Sequence, residues 1–250
     1  MKKLIKSFFR SMGIDIKKIN NNLVELPIHD ALSGTMKYGL KRMKNKNIDP
    51  KTIIDLGAAQ GRWSLEALQC WPDAQYMLVE PLSERQTELM RLQQEHKNFH
   101  IVNAAAGSCK GTVNFLVSDD LDGSGIYDNS DSVKTRQVNV AAIDDEVIRL
   151  GLRPPFMIKF DTHGFEGPIL EGARNTLNYT ELIVMECYAF RISKNCLTLH
   201  EMISCLEKLG FRIADAVDIM RRPGDELLWQ CDLFFLKSAN PFFKRSTYAQ

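Results

Sequence analysis

From residue 51 onward the chain alternates between short apolar runs and amphipathic stretches. Thr52-Ile53-Ile54-Asp55-Leu56 reads as a strand, residues 63–70 as a helix stopped by Pro72, and Gln75 to Glu80 as a second strand. Ser83 to His96 reads as a helix and Phe99 to Ala104 as a third strand. Such alternation predicts βαβ units, a mostly parallel sheet and right-handed crossovers. Gly107 to Ser118 breaks the rhythm. Thr112 to Val117 alternates as a strand, the turn-rich Asp119–Gly125 follows, and Arg136 to Val140 looks like its partner. We read residues 108–140 as a small β insertion near the functional site. The pattern resumes with a strand at Phe156–Asp161, a helix at Glu166–Leu177, a strand at Glu181–Glu186 and a helix at Leu197–Leu209. Two late strands, Phe211–Val217 and Leu228–Leu236, are joined by a loop too short for a crossover helix, so they should pair antiparallel.

The segment before residue 50 is different. Leu4, Ile5, Phe8, Phe9 and Met12 fall on one helical face, with Lys2, Lys3, Lys6 and Arg10 largely opposite. The plain expectation is a helix that packs on the domain or on a second subunit. A basic amphipathic helix is also what interfacial membrane contact needs, so peripheral membrane contact through residues 1–18 and homo-oligomerisation both stay open. Asn20-Asn21-Asn22 reads as a loop, and residues 30–46 as a second basic helix. The expected organisation is a basic N-terminal helical extension over 1–49, a domain over 50–240 and a C-terminal tail over 241–250.

Length and composition suit this plan. With 250 residues, 44% hydrophobic and 25% charged, the chain can form one large domain that buries roughly 70–75% of its extended surface. No apolar run approaches the roughly 20 residues of a membrane span. The basic start resembles a signal peptide, but Lys6 and Arg10 interrupt its apolar stretch and no small-residue cleavage site follows. A cytoplasmic location, with membrane association left open, is the expectation. The six cysteines form no Cys-x-x-Cys pair and no Cys/His metal spacing, so they read as reduced thiols. The net charge of +1 hides an asymmetry: residues 1–46 hold eleven Lys/Arg against three Asp/Glu, while the remainder is mildly acidic. An acidic body disfavours a long phosphate-backbone track, and with it nucleic acid as partner.

Three motifs carry chemistry. Asp55-Leu56-Gly57-Ala58-Ala59-Gln60-Gly61 lies where a strand meets a helix, and small residues there let backbone approach a ligand. Its spacing lacks the middle glycine of the dinucleotide fingerprint, which argues against NAD and for a nucleoside cofactor without pyrophosphate, such as S-adenosylmethionine. Glu80-Pro81 closes the next strand, where a carboxylate can accept hydrogen bonds from both ribose hydroxyls. Ile158-Lys159-Phe160-Asp161-Thr162-His163-Gly164-Phe165-Glu166 closes a later strand, with Glu186 at the end of the following one. Asp161, His163, Glu166 and Glu186 should share the crevice beyond the strand ends. A hydroxyl nucleophile must shed a proton there, with help from a base or a metal. His163 is the favoured base, and a divalent metal stays open without support. The bland alternative makes Glu166 a helix cap and His163 a satisfied loop residue.

With these residues in view, the chain resembles the FkbM-type methyltransferases of the class I S-adenosylmethionine-dependent superfamily over roughly residues 50–237. The resemblance rests on Asp55-x-Gly57-x-x-x-Gly61, Glu80-Pro81, Asn103-Ala104-Ala105-Ala106-Gly107 with the Gly111 strand, and Lys159 through Glu166 with Leu170-Glu171-Gly172-Ala173. The late Leu228–Leu233 run is similar too. It implies a Rossmann-like doubly wound α/β fold, with seven strands of which the last is antiparallel. It further implies O-methylation of a hydroxyl on a sugar, glycan or natural-product small molecule. By that pattern Asp55, Gly57 and Glu80 contact the cofactor, while Asp161 and Glu166 line the active site; His163 stands where the family more often has Glu or Gln, so no role for it follows from the resemblance. Taken with the reading of the motifs, the expected cofactor set is Asp55, Gly57, Ala58, Gly61, Glu80, Pro81, Asn103, Ala104 and Asp161, and the expected catalytic set is Asp161, His163, Glu166 and Glu186. A non-catalytic S-adenosylmethionine-binding module is one rival. The other is a nucleic-acid methyltransferase, which should place Asn/Asp-Pro-Pro-aromatic where this chain has Asp161-Thr162-His163-Gly164.

Overall fold

A computed structural model describes residues 33–126 and 135–247. The amphipathic helix expected over residues 1–18 and the Asn20–Asn22 loop lie outside the described residues. In chain order the elements are α1 (Met36–Asn45), β1 (Thr52–Leu56), α2 (Arg62–Leu68), β2 (Gln75–Val79), α3 (Ser83–Glu95) and β3 (Phe99–Val102). Then come β4 (Ala105–Gly107), β5 (Gly111–Leu116), β6 (Thr135–Ala142), α4 (Ile143–Leu150), β7 (Phe156–Phe160), α5 (Glu166–Gly172) and α6 (Arg174–Asn178). The chain closes with β8 (Thr180–Tyr188), α7 (Leu199–Lys208), β9 (Phe211–Arg221), β10 (Leu228–Lys237) and a 3-10 turn at Pro241–Lys244.

Seven strands form one sheet in the order β3-β2-β1-β7-β8-β10-β9. All neighbours are parallel except β10, which runs antiparallel to both β8 and β9. The doubly wound sheet expected from the alternation is therefore present, with its antiparallel last strand. β1 and β7 are buried along their whole length, the pattern of strands covered on both faces. Side chains alternate between two cores. Ile54, Leu56, Ile158, Phe160, Ile183 and Met185 face α5, α6 and α7, whereas Ile53, Met157, Leu182 and Val184 face α1, α2 and α3.

Helix α1 belongs to this body. Leu40 and Met43 are fully buried, Gly39 abuts the Phe234 ring, and Arg42 pairs with Asp215 at 2.6 Å. Each fully buried Leu or Met contributes roughly 1.5–3 kcal/mol. The boundary expected at residue 49 falls between α1 and β1 and so parts α1 from the core it packs against. Residues beyond 240 are also engaged, since Phe243 packs against the same core.

The insertion is a second, three-stranded sheet, β4-β6-β5. Its β5–β6 pair is the expected hairpin, while β4 joins β6 in parallel and was too short to read. Helix α4 also went unread, although its signals exist: Asp144, Asp145 and Glu146 in the first turn and Gly151 as a left-handed C-cap. The helix expected over Glu166–Leu177 is broken at Ala173 into α5 and α6. A Cβ on Gly172, at the end of α5, would stand 2.1 Å from the Gly107 carbonyl of β4, so this helix end presses directly on the insertion.

Candidate active site

The sheet order reverses between β1 and β7, because the chain builds outward from that line in both directions. Ligands in open α/β sheets bind beyond the strand ends at such a point. A cavity of about 290 Å³ lies there. Its walls come from the turn after β1 (Gly57, Ala59), the end of β2 (Glu80, Pro81, Leu82) with Arg85, and β4 (Ala105, Ala106). The turn after β7 adds Asp161, Thr162 and His163, β8 adds Glu186, and the β5–β6 connection adds Leu121, Asp122, Ser124 and Gly125.

The glycine turn is fixed by backbone contacts. Gly57 has φ +75, and a Cβ there would stand 1.9 Å from the Asp161 carbonyl, so only glycine fits. Gly61 has φ +76, and its missing Cβ makes room for Leu92 and Leu78. Gly61 therefore packs α2 against its neighbours and does not line the cavity. Ala58 is buried and also lies outside the wall, where Ala59 takes its place. Asp55 is fully buried: one oxygen accepts from the Ser64 hydroxyl at 2.7 Å, and the other has no hydrogen-bond partner but faces Lys159 Nζ at 3.7 Å. Its burial pushes its carboxyl above the usual range, against the pull of Lys159 and Ser64.

Glu80 is 5% exposed. Its Oε2 accepts the Ala59 amide at 2.9 Å and its Oε1 the Leu82 amide at 2.8 Å. Burial raises its pKa in spite of these amides. Each carboxylate oxygen has a second lone pair, so Glu80 shapes the turn and keeps acceptor capacity toward the cavity.

The β7–β8 side is built from side chains. Lys159 Nζ donates to Asp161 Oδ2 at 2.6 Å. Burial works against the Asp161 charge, but Lys159 and His163 outweigh it and hold the carboxyl below its ordinary value. His163 sits in the left-handed region at φ 53, directly before Gly164 at φ 97, a backbone that costs a non-glycine residue about 1–3 kcal/mol. Its Nδ1 lies 2.8 Å from the Tyr188 hydroxyl and 3.3 Å from Glu186, and its Nε2 lies 2.8 Å from the Asp122 carbonyl. Tyr188 itself donates to Glu186 at 2.5 Å, so it accepts from Nδ1. Both ring nitrogens therefore donate. Burial opposes the imidazolium, yet Glu186 and Asp161 push its pKa up to about 9. With both ring nitrogens engaged and the pKa raised, this arrangement disfavours the expected role of His163 as the base. Gln230 donates to Glu186, and Asp232 on β10, opposite Glu186 in register, is pushed up to about 7 by burial and by that neighbour.

Besides Asp55, Ala58 and Gly61, three more expected residues stand outside the cavity wall. Glu166 is 4% exposed, and its Oε1 accepts the Thr162 hydroxyl at 3.1 Å and the Gly164 amide at 2.9 Å. It holds the turn that carries His163 and does not line the cavity. Asn103 and Ala104 line a separate cleft of about 370 Å³ with Asp145 and Arg149, because β4 turns the next two residues, Ala105 and Ala106, toward the site. Sequence reasoning missed Ala59, Arg85, Asp122 and Asp232. Arg85 is buried and pairs with Asp122 at 2.5 Å across the mouth of the insertion, a contact between segments that no local spacing announces.

The sequence matches the model of the methyltransferase FkbM domain over residues 55–213. The chain belongs to the FkbM methyltransferase family. The FkbM match spans β1 to β9 and so contains every wall of the cavity. A comparison with curated proteins yields no match. Among solved structures, the chain is similar to a precorrin-6y C5,15-methyltransferase from Geobacter metallireducens (14% identity, 80% of this chain and 87% of that chain, TM-score 0.42). It is also similar to a Burkholderia thailandensis 1,6-didemethyltoxoflavin-N1-methyltransferase with bound S-adenosylhomocysteine (11%, 95% and 88%, TM-score 0.46). A third is Aeropyrum pernix fibrillarin with natively bound S-adenosyl-L-methionine (13%, 75% and 67%, TM-score 0.45). At such identities these likenesses say nothing of what the FkbM domain acts on. No helix among the described residues is long and apolar enough to cross a membrane.

The cavity residues fit S-adenosylmethionine. Leu82, Ala105, Ala106 and Phe115 offer an apolar slot beside Glu80, and no phosphate-binding glycine follows Gly57. A divalent ion fits less well. Asp161, His163 and Glu186 each bring one ligand atom within 4.8 Å of the others. However, Lys159 already answers Asp161, and both His163 nitrogens are engaged.

Proposed function

We propose that this FkbM domain catalyses S-adenosylmethionine-dependent methylation of a hydroxyl on a sugar, glycan or natural-product acceptor. The observation that carries the reading is the Asp161 carboxylate, held ionised by Lys159 on the wall of the cavity that also contains Gly57 and Glu80. S-adenosylmethionine, when bound, supplies an electrophilic methyl group. Glu80 and the Gly57–Ala59 turn bind and orient its nucleoside end. Asp161 would accept the hydroxyl proton as the acceptor oxygen takes the methyl group and the S–CH3 bond breaks to leave S-adenosylhomocysteine, general-base help typically worth 10²–10⁴-fold. A neutral amine needs no such help before attack, which favours an oxygen nucleophile. Leu82, Phe115 and Leu121 exclude water from the transfer path. The acidic body around the site speaks against a nucleic-acid acceptor. Incubation with isotopically labelled S-adenosylmethionine and a panel of glycans and hydroxylated small molecules, read by mass spectrometry, tests this. A one-methyl mass gain removed by Asp161→Asn supports the reading. Label that appears only on amines or nucleic acid refutes it.

A further inference from the structure

Lys159 is 5% exposed, and beyond holding the Asp161 carboxylate ionised it touches neither the donor pocket nor the acceptor path. Its surroundings are unusual for a buried cation. It lies in register with Asp55 on β1, with Asp55 Oδ1 at 3.7 Å and Asp161 Oδ2 at 2.6 Å. The ring of Trp63 on α2 lies 5.7 Å away, and Asp232 on β10 adds further negative charge. Burial alone would depress the ammonium; Asp161 and Asp55 reverse that and hold it charged. Of the two carboxylates it touches, only Asp161 reaches the cavity. The other is anchored by Ser64 to the helix that follows the glycine turn.

We propose that Lys159 is the positioning residue of the transfer: it fixes the Asp161 carboxylate toward the cavity and, through Asp55 and Ser64, ties it to the glycine turn that seats the methyl donor. The proposal rests on the reading of Asp161 as proton acceptor. A buried ion pair is weak evidence of stability, because desolvation offsets most of the attraction, so a purely structural purpose would be served as well by apolar side chains of the same volume. What apolar side chains cannot supply is an ionised, oriented carboxylate inside a cavity. The groups that face Asp161 bear this out. His163 lies 3.9 Å from Asp161 Oδ1 but is itself bound to Tyr188 and Asp122. Glu186 shares a side-chain hydrogen bond with Asp161 that helps hold its pKa down, but it brings no positive charge. Among the described residues Lys159 is the cation that donates directly to Asp161 at short range.

Two variants of the full chain test this: Lys159→Met, and Lys159→Met with Asp55→Asn, which leaves no buried carboxylate stranded if the single change fails to fold. The first readout needs no acceptor. Aspartate labelled with ¹³C at its side-chain carboxyl gives an Asp161 resonance, identified by its loss in Asp161→Asn. In the wild-type chain it should titrate below the ordinary aspartate value of about 3.9, and in either variant it should move above that value by more than about one unit. The second readout is turnover of a hydroxyl acceptor from the panel. Either Lys159 variant should lower kcat at least about tenfold, with affinity for S-adenosylhomocysteine nearly kept, and should cost little more when added to Asp161→Asn. An unmoved Asp161 resonance, or a kcat loss that adds in full to that of Asp161→Asn, overturns the proposal. If the wild-type chain labels no hydroxyl, the functional reading fails on its own, while the titration still decides whether Lys159 governs Asp161.

Discussion

The two sides of the cavity hold their polar groups in different ways. On the Gly57–Glu80 side, backbone answers side chain: the Glu80 oxygens take two amides, and the Asp161 carbonyl fills the space a Gly57 side chain would need. On the β7–β8 side, side chains answer side chains: Lys159 with Asp161, His163 with Tyr188 and the Asp122 carbonyl, Gln230 and Tyr188 with Glu186. A backbone-framed site is intolerant of added volume and nearly indifferent to pH. A side-chain network accepts changes of size and responds to charge. The expected effects below test that division.

Adding one methyl on the framed side should do the most damage. Gly57→Ala combines a left-handed backbone with a clash against backbone, so it should cost on the order of 4 kcal/mol or more, read by chemical denaturation. A stable Gly57→Ala protein would show that the turn can yield. On the networked side, Asp161→Asn keeps shape and removes charge. It should lower kcat by roughly 10²–10⁴-fold while the protein stays folded and binds S-adenosylhomocysteine. Loss of folding instead would place Asp161 with the framed side.

Glu80→Ala should weaken donor binding by roughly 1.5–3 kcal/mol in calorimetry, and it should also lower stability because the Ala59 and Leu82 amides lose their acceptor. Binding lost without any stability loss would mean the amides find other partners. The smallest expected effect is His163→Gln, worth roughly 1–3 kcal/mol of stability at neutral pH. The sign follows from a folded-state pKa raised to about 9, above an ordinary value near 6.5. The stabilisation is therefore complete below about pH 6.5 and is lost as pH rises through about 9. Denaturation midpoints of wild type and His163→Gln should converge above that pH. The rate profile between pH 6 and 8 should be unaltered, and a profile flattened by the change would restore His163 as the base.

The division also explains what could be read from the sequence. The sheet, its antiparallel strand and the glycine turn follow from spacing and periodicity, which are local. Gly57 and Glu80 were legible because a strand end followed by a small-residue turn dictates their surroundings. The networked side was not. Asp161, His163 and Glu186 do converge on one wall, yet the state of His163 depends on Tyr188, two residues past Glu186, and on a carbonyl in an insertion forty residues away. Glu166 looked catalytic by its place in the motif and proved to brace the turn, since its oxygen sits within reach of the Gly164 amide. Asn103 and Ala104 missed the cavity because a three-residue strand, β4, starts one residue later and re-aims the chain.

The contact between Gly172 and Gly107 bears on how such a protein changes over generations. At that point helix and insertion meet backbone to backbone, with no side chain whose size could drift. The root of the insertion is thereby immobile in sequence space. Its far end is not: Leu121, Asp122, Ser124 and Gly125 reach the cavity from a connection in which a Cβ on Gly123 would meet only ordinary van der Waals contacts. Two ties bind that end to the rest of the site, the Arg85–Asp122 pair and the Asp122 carbonyl that His163 reaches. Residue type therefore has more latitude in that loop than at Gly107 or Gly172, so long as those two ties are kept.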